Sequence, residues 1–365
     1  MSVLGTYILY YFIIISSSVL VYFSDYIRRN PSNEKIARQL FFSAMVISVL
    51  ISGFRYGIGT DYFSYENIFI NLSNSYQSVY DLILNTRFEP GWIIINSFIG
   101  FFTDNAFYLF MVCALLTWLF FYKGIYSHRN EVAVGISVLI LLSTLYITSF
   151  NIVRQILAMS IVFFSIKPLL DRKILKFSIT ILLASLFHYS SLVFLPAYWI
   201  VNSKYKQAGM IKRFGVPLLA IGLIIFIEPI LSFITSFDVF SFYRTYEVGE
   251  SQFGISSIII RLPVIIIILL NLKKLKLSNN PISRLVILYF LGIILLQIGY
   301  VSPYISRVAS FFEMTQILII GAIIKVQKNK YERFLYSYLV IIFYLAWFGY
   351  HFLMLGHGEA IPYQW

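Results

Sequence analysis

Apolar stretches long enough to cross a bilayer recur from one end of this chain to the other, each closed by a short polar segment. A hydrocarbon core about 30 Å thick is spanned by roughly twenty helical residues. Backbone amides in lipid must bond within their own helix or within a closed barrel. Long apolar runs without strand alternation therefore restrict the chain to a bundle of membrane helices. Only 12% of the residues are charged, where a soluble globule carries about a quarter. Runs near 3–23, 39–54, 106–122, 132–149, 152–166, 214–232, 255–272, 282–300, 304–324 and 334–354 read as spans. The first has no basic segment ahead of it and no small-residue cleavage site behind it, so it reads as a span and not a removed leader. The single cysteine, Cys113, lies inside an apolar run and reads as a buried structural thiol.

Two stretches do not fit one simple span. Residues 91–102 (GWIIINSFIGFF) are apolar but short, and residues 175–201 are too long and interrupted by His188. Positive charge flanking the spans decides both, because Lys and Arg collect on the cytoplasmic side. With the N-terminus outside, and with 175–201 folded into two short antiparallel helices or a re-entrant hairpin turning at His188, six loops fall in the cytoplasm. These are 24–38, 123–131, 167–176, 202–213, 273–284 and 325–333, and together they hold 22 of the 28 Lys and Arg. Crossing once through 175–201 would put Lys204, Lys206, Lys212 and Arg213 outside and flip every later loop. By the same logic 91–102 does not cross and reads as an amphipathic or re-entrant helix at the outer face. The expected fold is an all-α polytopic membrane protein of about 12 transmembrane or re-entrant helices. It forms one membrane domain over 1–365, with both termini on the outer side and larger outer loops near 55–105 and 233–254. The net charge of +12 is thereby membrane topology, and nucleic acid is not an expected partner.

The six cations left over are Arg55, Arg87, Arg154, Arg244, Arg261 and Arg307, while all fourteen lysines lie inside. Guanidinium forks suit diphosphate and carboxylate groups in a way ammonium does not. An outer face supplied only with arginines reads as an anion site. Eleven of the sixteen acidic residues fall on the same side, Asp61, Glu66, Glu89, Glu228 and Glu313 among them. The segment Phe54–Tyr62 (FRYGIGTDY) sets Gly57 and Gly59 between Arg55 and Asp61. Such a turn can hold an anion through Arg55 and leave Asp61 as an acceptor or base for a sugar hydroxyl, or it can be a helix-end turn with an Arg–Asp surface pair.

These segments, FRYGIGTDYFSY (54–65), FEPGW (88–92), NIVRQILAMS (151–160), LFHYSSLVFLP (186–196) and SPYISR (302–307), stand in the order found in EpsG-like proteins, a family of Wzy-type bacterial polysaccharide polymerases. The resemblance runs from about residue 50 to the C-terminal IPYQW, and no single motif in it would suffice. It implies a GT-C-like glycosyltransferase that joins undecaprenyl-diphosphate-linked oligosaccharide repeat units into a surface polysaccharide (O-antigen, capsule or exopolysaccharide). The site implied faces the outer side of the bacterial cytoplasmic membrane. Membrane lipid and a chain-length-regulating co-polymerase are the implied partners.

In that scheme His188 or Asp61 removes the proton from the acceptor hydroxyl, since histidine titrates near neutrality. Arg55, Arg154, Arg307, Arg261 and Arg244 are the candidate diphosphate ligands. An unpaired arginine at membrane depth is costly, so Arg154, in the first turn of its helix, should face a polar cavity or a partner such as an ion-paired acid. Glu313, about two turns past Arg307, is not assured of pairing with it. Tyr62 and Tyr65, with Tyr243 and Tyr246, are candidate sugar platforms. Glu89 caps the outer-face helix or contacts the acceptor. His351, His357 and Glu359 carry no assigned role. No spacing of His, Cys and carboxylate suggests a metal site, and no cofactor is required. A membrane O-acyltransferase would want functional polar residues on the cytoplasmic side. A lipid-linked-sugar flippase would show internal repeats and mid-span polar groups. Neither pattern is present in the sequence.

Overall fold

The computed structural model describes residues 1–75, 78–202, 255–298 and 303–365. The expected span at 214–232, the loop at 233–254, and Glu228, Tyr243, Arg244 and Tyr246 lie outside the described residues. All of the secondary structure among the described residues is helical.

Helix α1 (Val3–Ile27) begins at Ser2, whose side chain accepts from the Gly5 amide, and runs 25 residues. At 1.5 Å per residue that is about 37 Å, enough to cross with some tilt. Its inward stripe is Tyr10, Ile13, Ile14, Ser17 and Val21, at the spacing of one helix face. The opposite face exposes Leu4, Ile8, Phe12, Ile15 and Val19. An apolar outer face over an interior with hydroxyls is the reverse of a water-soluble helix, and lipid is the solvent that permits it. Buried hydroxyls tie neighbouring helices: Ser17 Oγ donates to the Ala44 carbonyl at 3.1 Å and Ser24 Oγ to that of Ala37 at 2.6 Å, both in α2 (Glu34–Gly53).

The chain continues through α3 (Tyr62–Ser73), α4 (Val79–Asn85), α5 (Pro90–Gly100), α6 (Phe107–Ser127), α7 (Val134–Leu145), α8 (Val153–Phe164), α9 (Ile166–Leu170), α10 (Ile174–Ser185) and α11 (Ala197–Asn202). It resumes in α12 (Ile255–Leu277), α13 (Val286–Ile298), α14 (Pro303–Glu313), α15 (Gln316–Lys325) and α16 (Lys330–Phe348). Six described stretches are long and apolar enough to cross a membrane: Val3–Ile27, Pro31–Gly53, Phe107–Ser127, Val153–Leu170, Ile305–Lys325 and Lys330–Met354. The protein is a polytopic helical membrane protein. Four shorter apolar helices accompany these spans, α5, α7, α10 and the segment Pro281–Gln297.

The expected span at 304–324 is broken near its middle, between Glu313 and Gln316, into α14 and α15. The expected hairpin at 175–201 is present. After α10, His188 is extended (φ −159°, ψ 114°), a 3₁₀ segment Tyr189–Phe194 follows, and α11 returns alongside the start. Tyr198 then donates to the Arg172 carbonyl at 2.8 Å and Asn202 to that of Leu169 at 2.9 Å, which closes the reversal. Helix α5, with eleven residues, is about 16 Å long and too short to cross. It packs on α3 and α4 with Phe98, Phe101 and Phe102 exposed at its far end.

Charge sorting is visible in space. Arg28 meets Asn130, Arg129 meets Glu34, Lys325 meets Asp25, Lys274 meets Glu332 and Arg284 meets the Leu170 carbonyl, so five of the cationic loops gather at one end of the bundle. The termini meet at the other end, where the Met1 amine donates to the Tyr363 carbonyl at 3.0 Å. Residues 356–365 form a strap there: Tyr363 Oη donates to the Ile51 carbonyl, the Tyr56 amide to the Gln364 carbonyl, and Asn151 Nδ2 to that of Gly358.

Candidate functional site

Helix α5 starts at Glu89-Pro90-Gly91. Proline at the first helical position is favoured because its missing N–H would be unsatisfied anyway. Glu89 holds the capping position with an extended backbone (φ −63°, ψ 143°), yet its side chain makes no capping bond. The expected capping role is therefore corrected: the carboxylate points elsewhere. What fixes its direction is Gly91, whose amide donates to the Leu186 carbonyl at 2.8 Å. A Cβ on Gly91 would stand 2.7 Å from that oxygen, so only glycine lets the start of α5 meet the end of α10 this closely. His188 follows two residues later.

The approach brings three residues together that are remote in sequence. Glu89 Oε1 lies 3.0 Å from His188 Nδ1, and Glu89 Oε2 accepts from Arg154 Nη1 at 2.5 Å. The glutamate side chain is 5% exposed, the histidine 14% and the arginine 25%. The acid is thus the buried member and its partners border accessible space. Burial pushes the Glu89 carboxyl up, but the His188 hydrogen bond and the Arg154 charge outweigh it and hold it below the usual carboxylate value. Arg154 sits in the first turn of α8, its guanidinium 5.3 Å over the Phe88 ring and close enough to the Tyr65 side chain to interact with it electrostatically. Tyr65 is fixed edge-on against Trp92. Asp61, just before α3, bonds to none of the three; its carboxylate accepts from the Thr60 hydroxyl at 3.4 Å.

Arg307 lies in the first turns of α14. Its carbonyl accepts from Gln155 Nε2 at 2.9 Å, which pins α14 to the start of α8 beside Arg154. The Arg307 side chain is exposed and has no ion-pair partner among the described residues. Glu313 is paired with Arg261 and not with Arg307, at 2.5 Å and 3.3 Å through two nitrogens. That pair borders a cavity of about 580 Å³ between α7, α12, α14, α15 and α16. The cavity lies apart from the Glu89 carboxylate, which does not line it.

Arg55 is placed differently from the other arginines. It is 4% exposed, donates to the Ser52 and Phe150 carbonyls, and has the Phe110 and Phe150 rings 4.8 and 4.9 Å away. The glycines beside it serve the C-terminal strap. Gly59 (φ +98°) donates its amide to the Glu359 carbonyl, and a Cβ there would meet Asn151 Oδ1 at 2.7 Å. Tyr62 is buried with one face stacked on Phe110 at 4.4 Å. Arg55 and Tyr62 thus occupy packing positions in the region where the sequence suggested an anion turn. Among the described residues no group of three or more His, Cys, Asp and Glu is placed to hold a metal ion.

Sequence reasoning named all three residues, Glu89 as a helix cap or acceptor contact, but did not bring them together. The local signal was Glu-Pro-Gly between aromatic residues, a helix start with a carboxylate that could serve something other than its own amides. The family comparison agrees with the motifs around these residues. The model of the EpsG family matches residues 38–365. The chain belongs to the EpsG family. No curated protein and no solved structure matches. Family membership implies a glycosyltransferase-like polymerase role in exopolysaccharide biosynthesis, exercised by a multi-pass membrane protein on lipid-linked sugars.

Proposed function

We propose that the Glu89–His188–Arg154 cluster is the catalytic centre of a Wzy-type polymerase. It would join undecaprenyl-diphosphate-linked repeat units at the outer face of the bacterial cytoplasmic membrane. The observation that carries the reading is the buried Glu89 carboxylate held between a histidine and an arginine that both border accessible space. A carboxylate on Nδ1 fixes the histidine tautomer with the proton on Nδ1, and leaves the Nε2 lone pair for substrate. His188 Nε2 takes the proton of the acceptor hydroxyl as its oxygen bonds to the anomeric carbon of the donor. The bond from that carbon to the lipid diphosphate breaks, and the diphosphate leaves with the electron pair. Glu89 stabilises the imidazolium that forms. Arg154, steadied by Tyr65, and the exposed Arg307 stabilise charge on the departing diphosphate. Arginine supplies this positive charge, and the scheme requires no metal. In this reading Asp61 contacts acceptor hydroxyls and does not act as the base, while Arg55 and Tyr62 support the scaffold.

The test is purified protein in liposomes, supplied with a synthetic lipid-linked repeat unit and read for polymer ladders. Wild type should make ladders, while Arg154→Ala and Arg307→Ala should lose most of them. Translocation of single units with no ladder from a competent wild-type preparation would replace the polymerase by a flippase.

A further inference from the structure

Polymerisation needs two lipid-linked molecules at once, and the Glu89 cluster accounts for the reacting groups alone. The 580 Å³ cavity is of the size that takes a small-molecule ligand. Its polar lining is unlike that of an anion site. Arg261 meets Glu313 through two nitrogens on the two carboxylate oxygens, so their charges cancel. Gln316 accepts from Tyr344 Oη at 2.7 Å through Oε1. Its Nε2 makes no bond among the described residues, which leaves a donor at the cavity wall. Trp347 and His357 add aromatic surface along α16 and the C-terminal strap. A guanidinium–carboxylate pair offers donor and acceptor edges side by side, as vicinal sugar hydroxyls require. A diphosphate brought to the same place would meet the Glu313 carboxylate.

From this lining we propose that the cavity is a binding subsite for the neutral saccharide portion of a substrate, separate from the diphosphate-binding arginines. The proposal rests on the polymerase reading only for the origin of the saccharide. It also moves Arg261 from diphosphate contact to sugar contact. The two places share α14: Arg307 and Glu313 are six residues apart, about 9 Å along its axis and about 120° apart around it, with Glu313 on the cavity wall and Arg307 outside it. A sugar chain lying in the cavity could therefore extend toward the level at which Arg307 would meet the diphosphate.

The experiment uses the full-length protein in nanodiscs and a neutral oligosaccharide freed of lipid and phosphate, carrying a photoreactive group. Crosslinking followed by peptide mapping should label residues in 310–316 and 343–357, with excess unlabelled oligosaccharide competing and inorganic pyrophosphate not competing. Binding read by the same label should weaken at least about tenfold in Gln316→Ala and in Arg261→Gln/Glu313→Gln, each verified as a monodisperse preparation. It should persist in His188→Ala, which loses ladder formation. Labelling confined to other segments, or competition by pyrophosphate, overturns the proposal, and wild-type peptide mapping decides this even if the variants fail to fold. Absence of ladders from wild type, with the cavity still labelled, would defeat the polymerase reading and leave the saccharide site standing.

Discussion

Replacing Glu89 by glutamine keeps the size of the side chain and removes its charge, which isolates what the carboxylate does. In the native protein it accepts from Arg154 at 2.5 Å and lies 3.0 Å from His188. Removing one member of a fully buried ion pair costs about 3–5 kcal/mol, because the partner charge stays behind uncompensated. Arg154 is a quarter exposed, so solvent screens part of that penalty and the expected loss is about 2–3 kcal/mol. The catalytic effect should be larger than the structural one. Without an anion on Nδ1 the histidine tautomer is no longer fixed and the imidazolium is unsupported, and proton-transfer assistance is worth roughly 10²–10⁴ in rate. Glu89→Gln should therefore lower the initial rate of polymer formation from synthetic lipid-linked units by at least about 100-fold. The protein should remain folded, with a measurable decrease in its thermal midpoint. Glu89→Asp should fall between, since one methylene fewer prevents the carboxylate from reaching both partners. A Glu89→Gln protein that polymerises at the wild-type rate would refute the reasoning.

Gly91→Ala places a methyl group 2.7 Å from the Leu186 carbonyl, which must push α5 away from α10. Ladder formation should drop by an order of magnitude or more, while the purified protein stays monodisperse by size exclusion. Tyr363→Ala empties the place of a fully buried ring and removes its bond to the Ile51 carbonyl. A loss of about 3–5 kcal/mol is expected, read as a lowered thermal midpoint. Because the folded Glu89 carboxyl is held below its ordinary value, its stabilising contribution is complete above the unfolded carboxylate pKa of about 4.3. That contribution is lost as pH falls through the lower folded value. Stability of wild type relative to Glu89→Gln should therefore shrink only below about pH 4 in paired melting curves.

Charge sorting carried most of what the sequence could say about the fold. Lysines and arginines in short loops implied one cationic end, and contacts such as Arg28–Asn130 and Lys274–Glu332 bring those loops together. The same bookkeeping required a reversal at His188, and Tyr198 returning to Arg172 shows it. The site was less legible because its hub depends on distant partners. Glu89 lies 65 residues from Arg154 and 99 from His188, and no local pattern announces either meeting. Arg55 had the opposite fault. Its neighbours in sequence, two glycines and an aspartate, look like an anion turn, while the rings of Phe110 and Phe150 that enclose it come from other helices. The break between α14 and α15 falls at Glu313-Met314-Thr315-Gln316, a short polar interruption inside a stretch still apolar enough overall to cross a membrane, and the position of Glu313 on the cavity shows its consequence.

The most direct test of the proposed centre is a single-turnover measurement with one lipid-linked donor and one lipid-linked acceptor, comparing wild type with His188→Gln. Both proteins should bind the substrates, read by the retention of radiolabelled lipid on nanodiscs. The account predicts a new glycosidic bond and released lipid diphosphate from wild type, and at least a hundredfold less of both from His188→Gln. Product formed at the wild-type rate by His188→Gln would contradict it.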